Sequence, residues 1–143
     1  MNARSFFDTN LLVYTDDVDA PDKQDRALAL WQEHRSLGLA VISIQVLQEY
    51  FWIATRKLGV DPGIATEKLM LFSRADVITP RTDDVVSAAR LSMEHKLSFW
   101  DAMIVQMALQ ADCDVLFSED MQAGRRYAGV EIINPFTTGS GKG

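Results

Sequence analysis

Five short apolar runs, separated by stretches with helical spacing, constrain this chain more than any other feature. They are Arg4 to Phe7, Leu39 to Ile42, Val77 to Thr79, Val115 to Phe117 and Val130 to Ile133. Such short, unbroken runs read as strands buried on both faces rather than as strands with one wet side. Strands of that kind, each divided from the next by helices, predict a three-layer α/β/α sandwich around a mainly parallel sheet. In open sheets of this type the functional groups collect at the carboxyl ends of the strands.

The intervening segments carry their own punctuation. Asp8-Thr9-Asn10 ends the first strand in a polar turn, and Leu11 to Tyr14 reads as one helical turn. Asp19-Ala20-Pro21 opens a helix in which Ala27, Leu30, Trp31 and His34 share a face, up to a stop at Gly38. Ser43 can cap the next helix, which ends near Leu58 and Gly59. After Asp61-Pro62-Gly63 comes Ile64 to Ser73, with Leu69 and Phe72 turned inward, and Pro80 closes the following strand. Thr82 begins a helix whose apolar positions are Val85, Ala88, Ala89 and Leu91 to Met93, and Ser98 to Asp112 forms another. At 143 residues, 48% of them hydrophobic, the chain predicts one domain over residues 1–136 and a disordered tail over 137–143. The tail string Gly139-Ser140-Gly141-Lys142-Gly143 looks like a phosphate loop, but no strand or helix brackets it and no Ser or Thr follows the lysine.

Several classes are excluded by what the chain lacks. Its apolar runs, such as Leu39 to Ile42 and Ile104 to Leu109 with Gln106 inside it, fall far short of the roughly 20 residues of a membrane span. Asp8 interrupts the N-terminal segment before the apolar core of a secretory leader develops. Cys113 is the only cysteine, which leaves no internal disulfide and no paired thiolate motif; it reads as a small buried hydrophobe in a cytoplasmic protein. The net charge of −6 opposes broad attraction to nucleic acid unless the acids are concentrated in one site or covered by a basic partner.

Four carboxylates stand where such a sandwich would gather them. Asp8 follows the strand Ser5-Phe6-Phe7, a position equally suited to a helix N-cap. Glu49 lies three residues after Val46 and four before Ile53, within the apolar stripe of its helix. Asp101 is in phase with Ile104, Val105 and Ala108, although Ser98 three residues earlier would also make it part of a capping box. Asp120 follows the strand that ends at Phe117, where a turn would also use it. Each acid has a bland explanation alone, but two strand ends and two apolar helix faces supplying carboxylates together do not. Acids forced together repel unless a cation holds them, and hard oxygen donors without nearby His or Cys favour Mg²⁺ or Mn²⁺. His34 and His95 fall outside the pattern.

The segments Phe7-Asp8-Thr9-Asn10, Gln45-Val46-Leu47-Gln48-Glu49, Phe99-Trp100-Asp101-Ala102 and Leu116-Phe117-Ser118-Glu119-Asp120 resemble, in order and spacing, the motifs of PIN-domain toxins of the VapC type. The resemblance runs over nearly the whole chain. It implies that Asp8, Glu49, Asp101 and Asp120 form an acidic quartet around one or two metal ions, supported by Thr9, Asn10 and Ser118, with Glu119 competing with Asp120 for the last position. It further implies a ribonuclease that leaves a 5′-phosphate, a homodimer, and a small antitoxin protein whose tail covers the acids.

Around the quartet, Arg125 and Arg126 read as solvated surface charge and Trp52 and Trp100 as core, although a phosphate contact or a stacked base is the other use of each. Three rivals remain in view. A phosphatase with an Asp-x-Asp nucleophile would need an acid where Asn10 stands and would leave Glu49 unexplained. A PIN-like scaffold that binds RNA or a partner without cutting, or a PIN nuclease of RNA processing, would read much the same.

Overall fold

The computed structural model describes residues 3–137. The expected tail, apart from Thr137, lies outside the described residues. Six strands form one sheet: β1 (Ser5–Phe7), β2 (Ala40–Ser43), β3 (Asp76–Ile78), β4 (Val115–Phe117), β5 (Arg126–Tyr127) and β6 (Val130–Ile133). Their order is β3-β2-β1-β4-β6-β5, parallel throughout except that β5 runs antiparallel to β6. The helices are α1 (Thr9–Tyr14), α2 (Pro21–Ser36), α3 (Ile44–Arg56), α4 (Pro62–Phe72), α5 (Thr82–His95) and α6 (Phe99–Gln110).

Connections from β1 through β2 to β3 step one way along the sheet, and the crossover from β3 to β4 returns past β1. Right-handed crossovers therefore put α1 to α4 on one face and α5 with α6 on the other. On the first face an edge-to-face relay runs from Phe7 to Trp31, Phe72 and Tyr50. Across the other, α6 buries Ala102 to Val105, Met107 and Ala108. Phe6, Phe7, Val41, Ile42 and Leu116 are wholly enclosed between the layers, as the unbroken apolar runs require.

Two expectations need correction. Tyr127 and Val130 flank a two-residue turn that adds β5 to the sheet, a strand no apolar run announced. Of the apolar positions expected to face inward on α5, Ala88 is fully buried, but Val85 and Met93 are exposed. The carboxylate of Asp84 takes the inward place instead, accepting from Gln106, Gln110 and the backbone of Arg81. Among the described residues no helix is long and apolar enough to cross a membrane.

Candidate active site

The chain reverses its direction along the sheet between β1 and β4, and the carboxyl ends of these neighbours open a crevice there. Asp8 leaves β1 at that edge. It is 6% exposed, and its Oδ1 accepts from the Thr9 backbone N–H at 2.7 Å, so it is both strand end and N-cap of α1. Asp120 reaches the crevice from the loop after β4, Glu49 from the middle of α3 and Asp101 from the first turn of α6. All four line one cavity of about 510 Å³, together with Thr9, Asn10 and Gln45. A second cavity, about 520 Å³ between α2 and α4, has no carboxylate in its lining.

Neighbouring donors hold the acids in place. Thr9 Oγ1 donates to Glu49 Oε1 at 2.6 Å and Gln45 Nε2 to Glu49 Oε2 at 3.2 Å. Asn10 Nδ2 donates to Asp120 Oδ2 at 2.9 Å, while its Oδ1 accepts from the Glu119 backbone at 3.3 Å. Ser118 Oγ donates to Asp8 Oδ2 at 2.8 Å. The side chains of Thr9, Asn10 and Ser118 thus each donate to a different carboxylate of the quartet. Gln45 was missed as a site residue, although its place one helical turn before Glu49 was a legible signal. It also donates to the Trp100 carbonyl at 3.2 Å and so ties α3 to the helix bearing Asp101.

Electrostatics set these acids apart. Burial, opposed by the Ser118 and Thr9 hydrogen bonds and reinforced by Asp101 and Glu49, raises the Asp8 carboxyl from its ordinary 3.8 to about 7. Burial also raises Asp101, with repulsion from Asp120 and Glu49 outweighed in part by Ser98. Among the described residues, none of the four is salt-bridged to a lysine, arginine or histidine. Glu119, by contrast, pairs with Lys23 and accepts from the Tyr14 hydroxyl at 2.6 Å, and these contacts hold its carboxyl below the ordinary range despite burial. Glu119 lines the same cavity, but its charge is taken up by Lys23 and Tyr14.

Other singled-out groups separate cleanly. His34 packs edge-on against Phe7 and Phe117, and His95 against Tyr127. Arg126 pairs with Glu131, Arg125 lies over Tyr127, and neither lines the acidic cavity. Cys113 is buried, and burial pushes its thiol up to about 12. Trp52 and Trp100 are not core residues: they are 58% and 62% exposed, and Trp52 stands at the cavity's rim.

The four carboxylates ring the cavity openly; among the described residues no three acidic, His or Cys groups are already drawn together tightly enough to grip an ion. Mg²⁺ does not need a closed protein cage, because it keeps several waters and is held by one or two carboxylates together with substrate phosphate. An all-oxygen set of unpaired acids fits such a cation in kind.

A mainly parallel sheet with carboxylates at its reversal point defines an α/β protein with an acidic crevice site. The PIN-domain model matches residues 5–128, and the chain belongs to that family. Its fold is similar to that of the Mycobacterium tuberculosis toxin VapC20, described as cleaving the sarcin-ricin loop, at 18% identity and a TM-score of 0.67 over 81% of this chain and 89% of that one. A toxin–antitoxin complex from Klebsiella pneumoniae gives 20% identity and a TM-score of 0.67, over 94% of this chain and 99% of that one. DNA-bound VapBC from Salmonella typhimurium gives 20% and 0.65, over 92% and 97%. Among curated proteins, none is a significant sequence match.

Proposed function

We propose that this PIN-domain chain is a divalent-cation-dependent endoribonuclease, the cytoplasmic toxin of a toxin–antitoxin pair. One observation carries the reading: the end of β1, α3, α6 and the loop after β4 each deliver to the same cavity a carboxylate that has no cationic partner among the described residues. Asp8, Glu49, Asp101 and Asp120 would hold Mg²⁺ or Mn²⁺. When bound, the cation supplies charge neutralisation at the phosphate and a water of lowered pKa. Ser118 and the Thr9 backbone fix both oxygens of Asp8, Thr9 and Gln45 fix both of Glu49, and Asn10 fixes Asp120. Carboxylates held in this way keep their orientation as phosphate enters, which limits the reorganisation needed at the reaction.

The substrate is RNA, and no histidine base takes part. The likeness to toxins solved with their antitoxins supports a small protein partner for this chain, with a basic segment suited to the unpaired acids. A homodimer belongs to the same reading. Cleavage of a mixed cellular RNA pool with Mg²⁺, Mn²⁺ or EDTA, by the wild type and Asp101→Asn, tests it. Cutting that requires metal and vanishes in the variant is the expected result; a folded protein that cuts nothing with either metal would sink the reading in favour of a binding scaffold.

A further inference from the structure

We infer that Trp52, braced by Arg56, is a stacking platform for an unpaired base next to the scissile phosphate; this rests on the nuclease reading above. Glu49, Trp52, Ile53 and Arg56 stand at successive offsets of three, four and seven residues, so one stripe of α3 runs from the acids out to the rim. Trp52 and Ile53 line the acidic cavity, and Lys57 and Leu58 continue its wall beyond the helix end. At 58% exposure the indole presents a large aromatic surface at the rim of the acidic cavity.

The ring is also held in place. The Arg56 guanidinium carbon lies 4.0 Å from the Trp52 ring centroid. The guanidinium thus takes one face of the indole, and Trp52, unlike Arg56, is part of the cavity wall. The rest of this exposed ring is left to a planar ligand. A single-stranded nucleic acid offers such a plane beside each phosphate, and aromatic platforms flanked by cations suit it irrespective of base identity. Lys57 lies on the same wall, positioned for a neighbouring phosphate. This local cation pair offsets, along one edge, the repulsion that the acids and the net charge of −6 impose on an RNA strand.

Two measurements test the platform. On a Trp100→Phe, Asp101→Asn background, which removes the other exposed indole and blocks cutting, a short oligoadenylate should quench tryptophan fluorescence, and the quench should disappear with Trp52→Ala. In the cutting-competent protein, Trp52→Ala should raise KM for the shortest cleaved RNA by roughly 5- to 150-fold with kcat little changed, and Trp52→Phe should recover most of the loss. Absence of the quench, or an unaltered KM in Trp52→Ala, overturns the platform. So does a change of assembly in sedimentation with KM intact, which would assign the indole to a protein interface. If the wild type cuts no RNA the nuclease reading fails separately, and the quench still decides whether Trp52 meets a base.

Discussion

Ser118 gives its only hydroxyl proton to Asp8 and, with the same oxygen, accepts from the backbone N–H groups of Asp120 and Met121 at 3.2 Å each. One fully buried hydroxyl therefore orients the acid at the end of β1 and fastens the loop that carries the acid after β4. Ser118→Ala should lower stability by about 1–3 kcal/mol, since it strips partners from buried groups. Cleavage should fall by roughly 10- to 100-fold, the usual effect of releasing a group that orients a metal-binding acid. Denaturant melts beside cleavage rates check both; an unchanged rate in a destabilised variant would confine Ser118 to holding the loop.

The raised Asp8 carboxyl fixes the direction of a pH effect. The metal-free native protein holds a proton there up to about pH 7, whereas an unfolded Asp releases it near 3.8. Native protein thus binds more protons between these values, so this group's contribution to stability is complete below the lower one and is lost as pH rises toward the upper. Asp101 acts in the same sense. A cation binds the deprotonated acids, so its stabilisation should grow across the same window with release of a proton. Thermal unfolding at several pH values, with EDTA or Mg²⁺, measures the difference. Asp8→Asn should remove most of the pH dependence of the metal effect, and a Mg²⁺ shift that shrinks as pH rises from 5 to 7 would contradict the assignment.

Helix phase and strand ends made the quartet legible, because Glu49 and Asp101 sat in apolar stripes and Asp8 and Asp120 at the close of apolar runs. The same logic misjudged Trp52, Trp100 and Val85. A stripe indicates which side of a helix is apolar, but only the neighbouring element decides how far that side is covered. The β5–β6 hairpin was hidden for a different reason. Its turn residues Ala128 and Gly129 have φ of 50° and 97°, a left-handed pair for which Asn-Gly is the familiar signal. Alanine in that position bears strain and gives no hint of the turn. Tertiary pairing of Tyr127 and Val130 holds it.

Glu119 and Asp120 are adjacent, yet they should behave oppositely. Glu119 is engaged by Lys23 and Tyr14, so Glu119→Gln should leave cleavage near the wild-type rate and cost about 1 kcal/mol or less, as partly exposed ion pairs do. Among the described residues Asp120 hydrogen-bonds to Asn10 and within its own loop, and Asp120→Asn should abolish metal-dependent cutting. Paired cleavage assays with Mg²⁺ decide between them. Activity lost in Glu119→Gln but kept in Asp120→Asn would reverse the two roles.

Gln45 offers the sharpest separation of activity from stability. Its Nε2 joins Glu49 to the Trp100 carbonyl, while its buried Oε1 has no hydrogen-bond partner among the described residues. An unpartnered buried carbonyl is unfavourable, so replacing the amide by an apolar chain of similar length removes that burden along with the two hydrogen bonds. Gln45→Met should accordingly change stability by no more than about 1 kcal/mol. Glu49 would keep Thr9 but lose the hold on its second oxygen, and α3 would lose its tie to the first turn of α6. Cleavage should drop by roughly tenfold or more, with tighter dependence on Mg²⁺ concentration because two of the four acids are less well aimed. Urea melts and a Mg²⁺ titration of the cleavage rate check this together. If the rate and its metal dependence stay at wild-type values, the bridge between α3 and α6 has no part in aiming the acids.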